Sequence, residues 1–245
     1  MIFEVFSLFP DMFDPYLEIS ILKRAIQKGL IEVNTHNIRD WATDKHHTTD
    51  DTPYGGGGGM VMKPEPIFAA VEDVLGEAPN CPVIMLSPQG QLFNQSIARD
   101  LATFDRMALL CGRYEGFDER IRQHLATHVI SIGDYVLTGG ELPALLVIDA
   151  IARLQPGVLG DKEATDDDSF SQDGLLEYPQ WTKPAEFRGW SVPEVMQNGN
   201  LAEQLKWKRQ QSLIRTLKWR PELLEKAHLS EKDREFLSKL IKTDL

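Results

Sequence analysis

Cysteine and long apolar runs are both scarce in this sequence, and each shortage excludes a class of protein. Only two of the 245 residues are cysteine, Cys81 and Cys111. They form no CxxC pair and have no histidine at metal spacing, so neither a disulfide framework nor a zinc site is indicated. No segment offers the roughly 18 uncharged apolar residues of a membrane span. The first ten residues lack the basic start and small-residue cleavage site of a signal peptide. We therefore expect a cytoplasmic protein with no membrane partner.

Basic residues are also fewer than acidic ones. The sequence has 26 lysines and arginines and 37 aspartates and glutamates, which gives a formal net charge of −11. Nonspecific nucleic-acid binding depends on a positive surface that displaces counterions, so any RNA site must be local. One stretch, 206–220, holds six basic residues and no acidic one. Two interpretations stay open: an RNA-binding surface, or a solvated helix face over a core stripe of Leu205, Leu213 and Leu217.

Up to about residue 160, short β-rich runs alternate with helical stretches, which is typical of an α/β fold with a parallel sheet. The predicted strands are Ile2–Phe6, Ile31–His36, Val83–Leu86, Met107–Cys111 and His128–Ile132. The predicted helices are Pro15–Lys28, Pro64–Leu75, Asn94–Ala102, Phe117–Leu125 and Leu142–Leu154.

An acidic run with almost no apolar residue begins at Asp161 and ends before Gly174, and it marks a domain boundary. We expect residues 161–174 to be a flexible interdomain linker between a domain of residues 1–160 and a small helical C-terminal domain, 175–245. The predicted helices of that domain are Leu201–Leu217, Pro221–Ala227 and Ser230–Lys242, the last with Ser230 and Asp233 at N-capping positions.

Three successive strand candidates run into glycine-bearing loops, at 86–90, 111–116 and 132–140. The carboxyl ends of parallel strands share one edge of a sheet, so these loops should converge on a single crevice of the kind that binds ligands. Glycine there lets the backbone approach a ligand closely. The glycine run 55–59 lacks the Lys-Ser/Thr pair of a P-loop, and no GxGxxG opens a helix after the first strand. A di- or triphosphate ligand is therefore not indicated.

Several segments together resemble the bacterial tRNA guanine-N1 methyltransferases. They are Tyr54–Met60, Leu86–Gly90, Leu110–Glu119 (LCGRYEGFDE), Ser131–Pro143 (SIGDYVLTGGELP), Pro156–Gly160 and Asp167–Phe170. CGRYEG followed by SIGDYVLTGGELPA at this spacing is highly specific to that family. The resemblance implies S-adenosylmethionine-dependent methylation of N1 of the guanine 3′ of the anticodon in tRNA. It also implies a SPOUT-type fold, in which the parallel sheet carries a C-terminal trefoil knot.

The resemblance further implies where the cofactor binds. The family's S-adenosylmethionine residues match Leu86, Ser87, Pro88, Gly112, Tyr114, Glu115, Ile132, Gly133, Asp134, Tyr135, Val136, Leu137, Gly139 and Gly140. These residues lie in the same three glycine-bearing loops. The residue pattern and the resemblance therefore agree on the location, whereas only the resemblance names the cofactor.

Methyl transfer from a sulfonium is an in-line displacement that needs alignment and a deprotonated acceptor. Guanine N1 carries a proton at neutral pH, so a general base must take it, and charge moving toward O6 calls for a cation or an N–H donor. The family's catalytic aspartate directly precedes Ser-Phe, which matches Asp168 here and implies Asp168 as the base, with Arg153 holding guanine. Without the resemblance, such a linker aspartate and a helix-end arginine are more often surface charge and a helix cap.

The resemblance implies a homodimer whose active site is shared between subunits. It makes the basic stretch a plausible tRNA surface, and the RNA contacts that we predict are Ser169, Lys206, Lys208, Arg209 and Arg215. It also implies magnesium assistance, although we predict no fixed metal site, and we interpret His46 and His47 as part of a polar loop. Two alternatives stay open. A ribose 2′-O-methyltransferase of the SPOUT class would share the pocket, and a non-catalytic RNA- or nucleotide-binding module would need no base.

Overall fold

The computed structural model describes residues 1–160, 167–170 and 174–243. The chain divides into two units, Met1–Lys162 and Glu163–Leu245. Residues 161–166 and 171–173 of the predicted linker lie outside the described residues. The predicted flexibility of the linker therefore stays a prediction. No helix in the described ranges is both long enough and apolar enough to cross a membrane.

The first unit is built on a five-stranded sheet. In chain order its strands and those of a separate short pair are β1 (Ile2–Ser7), β2 (Glu32–Asn37), β3 (Asp50–Asp51), β4 (Val61–Met62), β5 (Val83–Leu92), β6 (Arg106–Cys111) and β7 (His128–Ser131). The sheet order is β2-β1-β6-β5-β7 with every neighbouring pair parallel, whereas β3 and β4 form an antiparallel pair. The predicted α/β class with a parallel sheet is confirmed.

Helices cover both faces of this sheet. They are α1 (Asp14–Leu17), α2 (Ser20–Gln27), α3 (Pro64–Leu75), α4 (Gln95–Leu101), α5 (Glu119–His124) and α6 (Glu141–Ala152). Strand β6 shows the consequence, because Leu109 joins the apolar cluster that includes Ile148 of α6, while Leu110 joins the cluster that includes Ile67 of α3. A parallel strand buried on both faces needs a continuous apolar run, as β6 has.

The single helix predicted over Pro15–Lys28 is wrong, because the chain forms α1 and α2 with a break between them. Ile19 is extended, with φ −122° and ψ 143°. Leu17 and Leu22 both belong to the same buried cluster. In one continuous helix these two side chains would point about 140° apart. The break therefore lets both of them reach one core.

Strand β5 continues to Leu92, whereas the sequence predicted a loop over Ser87–Gly90. Leu86 and Gln91 both pair with Ile130, so the residues between them leave the pairing register as a bulge. Gly90 makes the close passage possible, since a Cβ there would lie 2.5 Å from the Ile130 backbone nitrogen. The glycine that indicated a loop instead permits two backbones to touch.

The second unit contains helices α7 (Glu194–Gln197), α8 (Leu201–Trp219) and α9 (Glu231–Thr243), a 3₁₀ turn at Pro221–Glu225, and the strands β8 (Glu186–Phe187) and β9 (Trp190–Ser191), which pair antiparallel. Its buried cluster is Leu175, Leu213 and Leu237. The predicted core stripe is wrong at Leu205, which is 55% exposed, because the cluster lies against the C-terminal half of α8. The helix predicted at Pro221–Ala227 is only the 3₁₀ turn.

The sheet of the first unit buries one carboxylate, Glu4 on β1, with 2% of its surface exposed. Its oxygens lie 2.7 Å from His36 Nε2 and accept a 2.9 Å hydrogen bond from Arg106 Nε. Burial raises the pKa of Glu4, but the hydrogen bonds from His36 and Arg106 outweigh it and hold the pKa below its ordinary value. Folding is therefore coupled to ionisation of this group.

Replacing this carboxylate should produce a stability loss that depends on pH. The folded pKa is lowered, so the stabilisation is present above the unfolded pKa and is lost as pH falls through the folded pKa. We expect Glu4→Gln to lower the free energy of unfolding at pH 7 by about 3 kcal/mol. Urea unfolding between pH 7 and pH 3 should show the gap closing in acid. The exposed Glu32→Gln is the control, and a gap that stays constant would contradict an ionic origin.

Candidate active site

A cavity of about 370 Å³ opens beside the bulge of β5 and the ends of β6 and β7, in the size range of small-molecule sites, roughly 300–1,000 Å³. Thirteen of the fourteen predicted cofactor residues line it: Leu86, Ser87, Pro88, Gly112, Tyr114, Glu115, Ile132, Gly133, Tyr135, Val136, Leu137, Gly139 and Gly140. Asp134 is exposed and lies outside this lining. The structure thus brings the three glycine-bearing loops together around one space.

Two glycines let the loops 111–116 and 132–140 touch backbone to backbone. The Gly140 N–H donates to the Gly112 carbonyl at 2.9 Å. A Cβ at Gly140 would lie 2.7 Å from Cys111 Cα, and one at Gly139 would lie 2.3 Å from Arg113 Nε. A side chain at Gly140 would push the two backbones apart, whereas one at Gly139 would displace the Arg113 and Glu141 side chains, so the packing itself requires glycine at position 140.

An ion pair that the sequence analysis missed joins the same loops. Arg113 Nη2 lies 3.0 Å from Glu141 Oε2, and Glu141 is 1% exposed. The Ser7 hydroxyl donates to Glu141 Oε1 at 2.7 Å, which ties the end of β1 to the start of α6. A signal was available, because Arg113 and Glu141 are opposite charges within two loops that were predicted to converge.

The glycine run 55–59, whose role the sequence left open, leads into the cavity loop. The Glu115 N–H donates to the Met60 carbonyl at 2.9 Å. A Cβ at Gly59 would lie 2.5 Å from Glu115 Oε1. At Gly55 to Gly58 a Cβ would meet no described atom within 4 Å. Gly59 therefore lies against the Glu115 side chain, whereas the other four glycines face open space.

Cys111 lies at the centre of this packing. Its side chain is fully buried. Burial, together with the charge of Glu141, raises the pKa of the Cys111 thiol well above its ordinary value, although the Arg113 charge acts in the opposite direction. The protonated thiol is a small packing group, as the sequence predicted for this residue.

The two predicted catalytic residues belong to different units. Arg153 directly follows α6 in the first unit, and its N–H donates to the Asp149 carbonyl at 3.2 Å. Asp168 is a half-buried residue of the second unit, in the described turn 167–170. Their predicted roles are not tested by these positions.

The five predicted RNA contacts fall into two groups. Lys206 and Arg215 are exposed on α8. Ser169, Lys208 and Arg209 have partners inside the second unit. Exposure is compatible with phosphate binding by the first group, whereas the second group takes part in holding the unit together.

Arg209 shows such a partnership most clearly. Its Nη2 lies 2.9 Å from Asp233 Oδ2. Asp233 and Ser230 cap α9 reciprocally, since the Ser230 N–H donates to Asp233 Oδ2 at 2.9 Å and the Asp233 N–H donates to Ser230 Oγ at 3.2 Å. Burial raises the pKa of Asp233, but the hydrogen bonds from Arg209 and Ser230 outweigh it and lower the pKa. The N-capping pair predicted from the sequence is confirmed.

The aspartate beside His46 and His47 is used within its own loop. Asp44 accepts hydrogen bonds from the Thr48 hydroxyl and N–H, both at 2.8 Å, and from the His46 N–H at 3.0 Å. These bonds, the Thr48 hydroxyl first, hold the pKa of Asp44 at about 2. Across the described parts of the chain, no group of three or more His, Cys, Asp or Glu side chains converges as a metal site would require.

A side chain at Gly140 should damage both stability and cofactor binding. We expect Gly140→Ala to lower the free energy of unfolding by about 2 kcal/mol, because the new Cβ overlaps backbone. Its affinity for S-adenosylmethionine, the cofactor implied by the resemblance, should fall at least about tenfold in calorimetric titration. The control is Gly160→Ala, where no described atom lies within 4 Å of the new Cβ. Parental affinity in a folded Gly140→Ala protein would show that the close contact is dispensable.

Comparison with known proteins agrees with this arrangement. A family model described as tRNA (Guanine-1)-methyltransferase TrmD matches residues 1–226. A tRNA (guanine-N(1)-)-methyltransferase of Dehalococcoides mccartyi is 56% identical over 239 residues, covering 97% of this chain and 96% of that protein. Proteins of the same name from Geotalea uraniireducens and Moorella thermoacetica are each 55% identical, covering 98% and 97% of this chain and 97% and 95% of their own lengths. With its three loops gathered at one cavity and a match over almost its whole length, the chain belongs to the tRNA (guanine-1)-methyltransferase family.

Proposed function

We propose that this protein transfers a methyl group from S-adenosylmethionine to N1 of the guanine 3′ of the anticodon in tRNA. The observation that carries the proposal is that three of the family's segments, around residues 86–89, 112–119 and 131–143, lie far apart in the chain and line one cavity. A binding module that lacked catalysis would need no general base, whereas methylation of guanine N1 needs one, and we assign that role to Asp168. A ribose methyltransferase would belong to a different family from the one that matches residues 1–226.

The cavity lining fits the proposed cofactor. Apolar side chains such as Leu86, Ile130 and Leu137 stand beside the glycines at 112, 139 and 140. Flat apolar groups pack against such side chains, while backbone N–H and C=O groups at glycine are reachable by an adenine edge or ribose hydroxyls. When bound, the cofactor supplies an electrophilic methyl carbon on a sulfonium sulfur.

Two side chains are proposed to act on guanine. The Asp168 carboxylate takes the proton from N1, and the nitrogen lone pair then forms the bond to the methyl carbon as the carbon–sulfur bond breaks. The Arg153 guanidinium holds the base and stabilises the charge that develops at O6. The cavity walls contribute alignment of acceptor and donor, which is the main requirement of an in-line displacement.

We also propose a homodimer in which Asp168 of one subunit serves the cavity of the other. Support for association comes from the first unit, where Ile19, Leu142 and Leu146 are 64%, 58% and 42% exposed. Leu142 and Leu146 are four residues apart on α6, so they share one face of that helix. Exposed apolar side chains gathered on one face are typical of an interface.

The knot and the domain boundaries of this chain are also proposals. We propose the SPOUT-type trefoil knot, which is supported by the family match over residues 1–226 together with the parallel sheet. The domains are proposed as a cofactor domain of residues 1–160, a linker of 161–174 and a tRNA-binding domain of 175–245. Exposed Lys206 and Arg215 are the proposed phosphate contacts of that domain.

Removing the proposed base should stop chemistry and spare cofactor binding. We expect Asp168→Asn to lower the single-turnover rate of methyl transfer to unmodified tRNA by about 10²- to 10⁴-fold. S-adenosylmethionine affinity should stay within about twofold. Mapping of the product of the parent protein should find the methyl group on guanine N1. The exposed Asp100→Asn is the matched control, and near-parental rates in Asp168→Asn would refute the role.

The proposed dimer predicts a specific pattern of complementation. Leu146→Asp should yield monomers in sedimentation velocity and abolish activity, whereas Phe104→Asp, whose parent residue is 41% exposed elsewhere on the unit, should remain dimeric. Co-expressed Asp168→Asn and Gly140→Ala chains, both weakly active alone, should recover about a quarter of the parental rate, because a mixed dimer holds one site with neither defect. No recovery in mixed dimers would mean that each subunit has its own complete site.

A further inference from the structure

The turn that carries Asp168 is hydrogen-bonded into its own unit on the C-terminal side of that residue. The Ser169 hydroxyl accepts from the Glu177 N–H at 3.0 Å. The Phe170 N–H donates to the Leu175 carbonyl at 2.8 Å. The turn therefore lies along the segment 175–178.

On the N-terminal side of Asp168, three side chains form a chain of hydrogen bonds. Lys208 Nζ donates to the Tyr178 hydroxyl at 2.8 Å, and that hydroxyl donates to Asp167 Oδ2, also at 2.8 Å. The direction is fixed by chemistry, because an ammonium only donates and a carboxylate only accepts. The tyrosine hydroxyl thus links a cation on α8 to the residue next to Asp168.

The middle of this chain is rigid. Tyr178 is 8% exposed, and the Lys208 ammonium lies 4.3 Å from the centre of its ring. The Leu176 N–H donates to Thr216 Oγ1 at 3.0 Å, and Thr216 is fully buried on α8. Two independent contacts therefore hold the segment 175–178 on α8, and Asp167 is bonded to that fixed segment.

We propose that Tyr178 and Lys208 are positioning residues, which set the location of the Asp168 carboxylate by anchoring Asp167. The inference rests on the proposed function, in which Asp168 is the base. A base that is displaced by even about 1 Å from its proton can lose on the order of a hundredfold in rate. Lys208 then acts inside the protein through Tyr178, and the RNA contacts predicted for α8 pass to its exposed residues.

The test compares variants that each remove one member of the Lys208–Tyr178–Asp167 hydrogen-bond chain. Tyr178→Phe removes one oxygen and keeps the packed ring, Lys208→Met removes the cation, and Asp167→Ala removes the exposed acceptor, where little packing is lost. We expect each to lower the single-turnover rate at saturating tRNA and S-adenosylmethionine about tenfold, with tRNA affinity and its salt dependence unchanged. Asp167→Asn and Lys208→Arg keep an acceptor and a donor, so they should recover most of the rate.

Non-additive rate losses distinguish a connected chain of hydrogen bonds from separate structural effects of the two substitutions. The double variant Tyr178→Phe/Lys208→Met should be about as slow as the slower single variant, because one break already disconnects Asp167. Lys232→Met, which changes an exposed lysine of the same unit, should keep the parental rate. Multiplicative rate losses in the double variant would overturn the proposal.

Two further outcomes would also overturn it. In the first, Lys208→Met weakens tRNA binding and flattens its salt dependence but leaves the rate at saturating substrates unchanged. That result would mean that Lys208 contacts phosphate. In the second, Tyr178→Phe and Asp167→Ala both keep the parental rate. That result would show that these hydrogen bonds do not position the Asp168 carboxylate. Asp168→Asn in the same assay separates the two proposals: if it is slow while those variants are fast, only the positioning role fails, and if it is fast, the proposed base fails.

Discussion

The direct contact of backbone with backbone beside Gly140 is the constraint on which the cavity depends. Loop 132–140 reaches loop 111–116 because Gly140 carries no side chain that would overlap the Cys111 and Gly112 backbone. The buried Arg113–Glu141 pair then fastens the two loops electrostatically. Burying such a pair costs desolvation, and breaking it would leave one charge stranded, so the pair specifies one arrangement of the loops more than it adds stability.

Much of this arrangement was predictable from sequence because it depends on local, periodic signals. The β-rich runs at Ile2–Phe6 and Met107–Cys111 predicted β1 and β6, and the glycine-bearing loops after β6 and β7 located the cavity edge. The break at Ile19 was not predictable, because it serves Leu17 and Leu22, whose shared core is assembled by the whole sheet. The bulge in β5 was missed for the same reason, since it depends on pairing with distant Ile130.

The second unit shows a different limit, which concerns charge. Composition reveals a run of cations on α8, but it does not reveal which of them have partners. Lys208 and Arg209 turn inward to Tyr178 and Asp233, while Lys206 and Arg215 face solvent. Neighbouring residues of like charge thus have unlike roles, because the partners come from segments 30 and 24 residues away in sequence. A net charge of −11 is compatible with an RNA substrate because the exposed cations Lys206, Arg215 and Lys218 lie together on one helix.

Cys111 carries a consequence of the glycine contact that concerns redox chemistry. Thiols react as thiolates, and the raised pKa and full burial of this one suppress both ionisation and access. Oxidants and alkylating reagents therefore meet it only after the two loops have separated. Chemical modification of Cys111 is therefore a sign that the packing between these two loops has been lost.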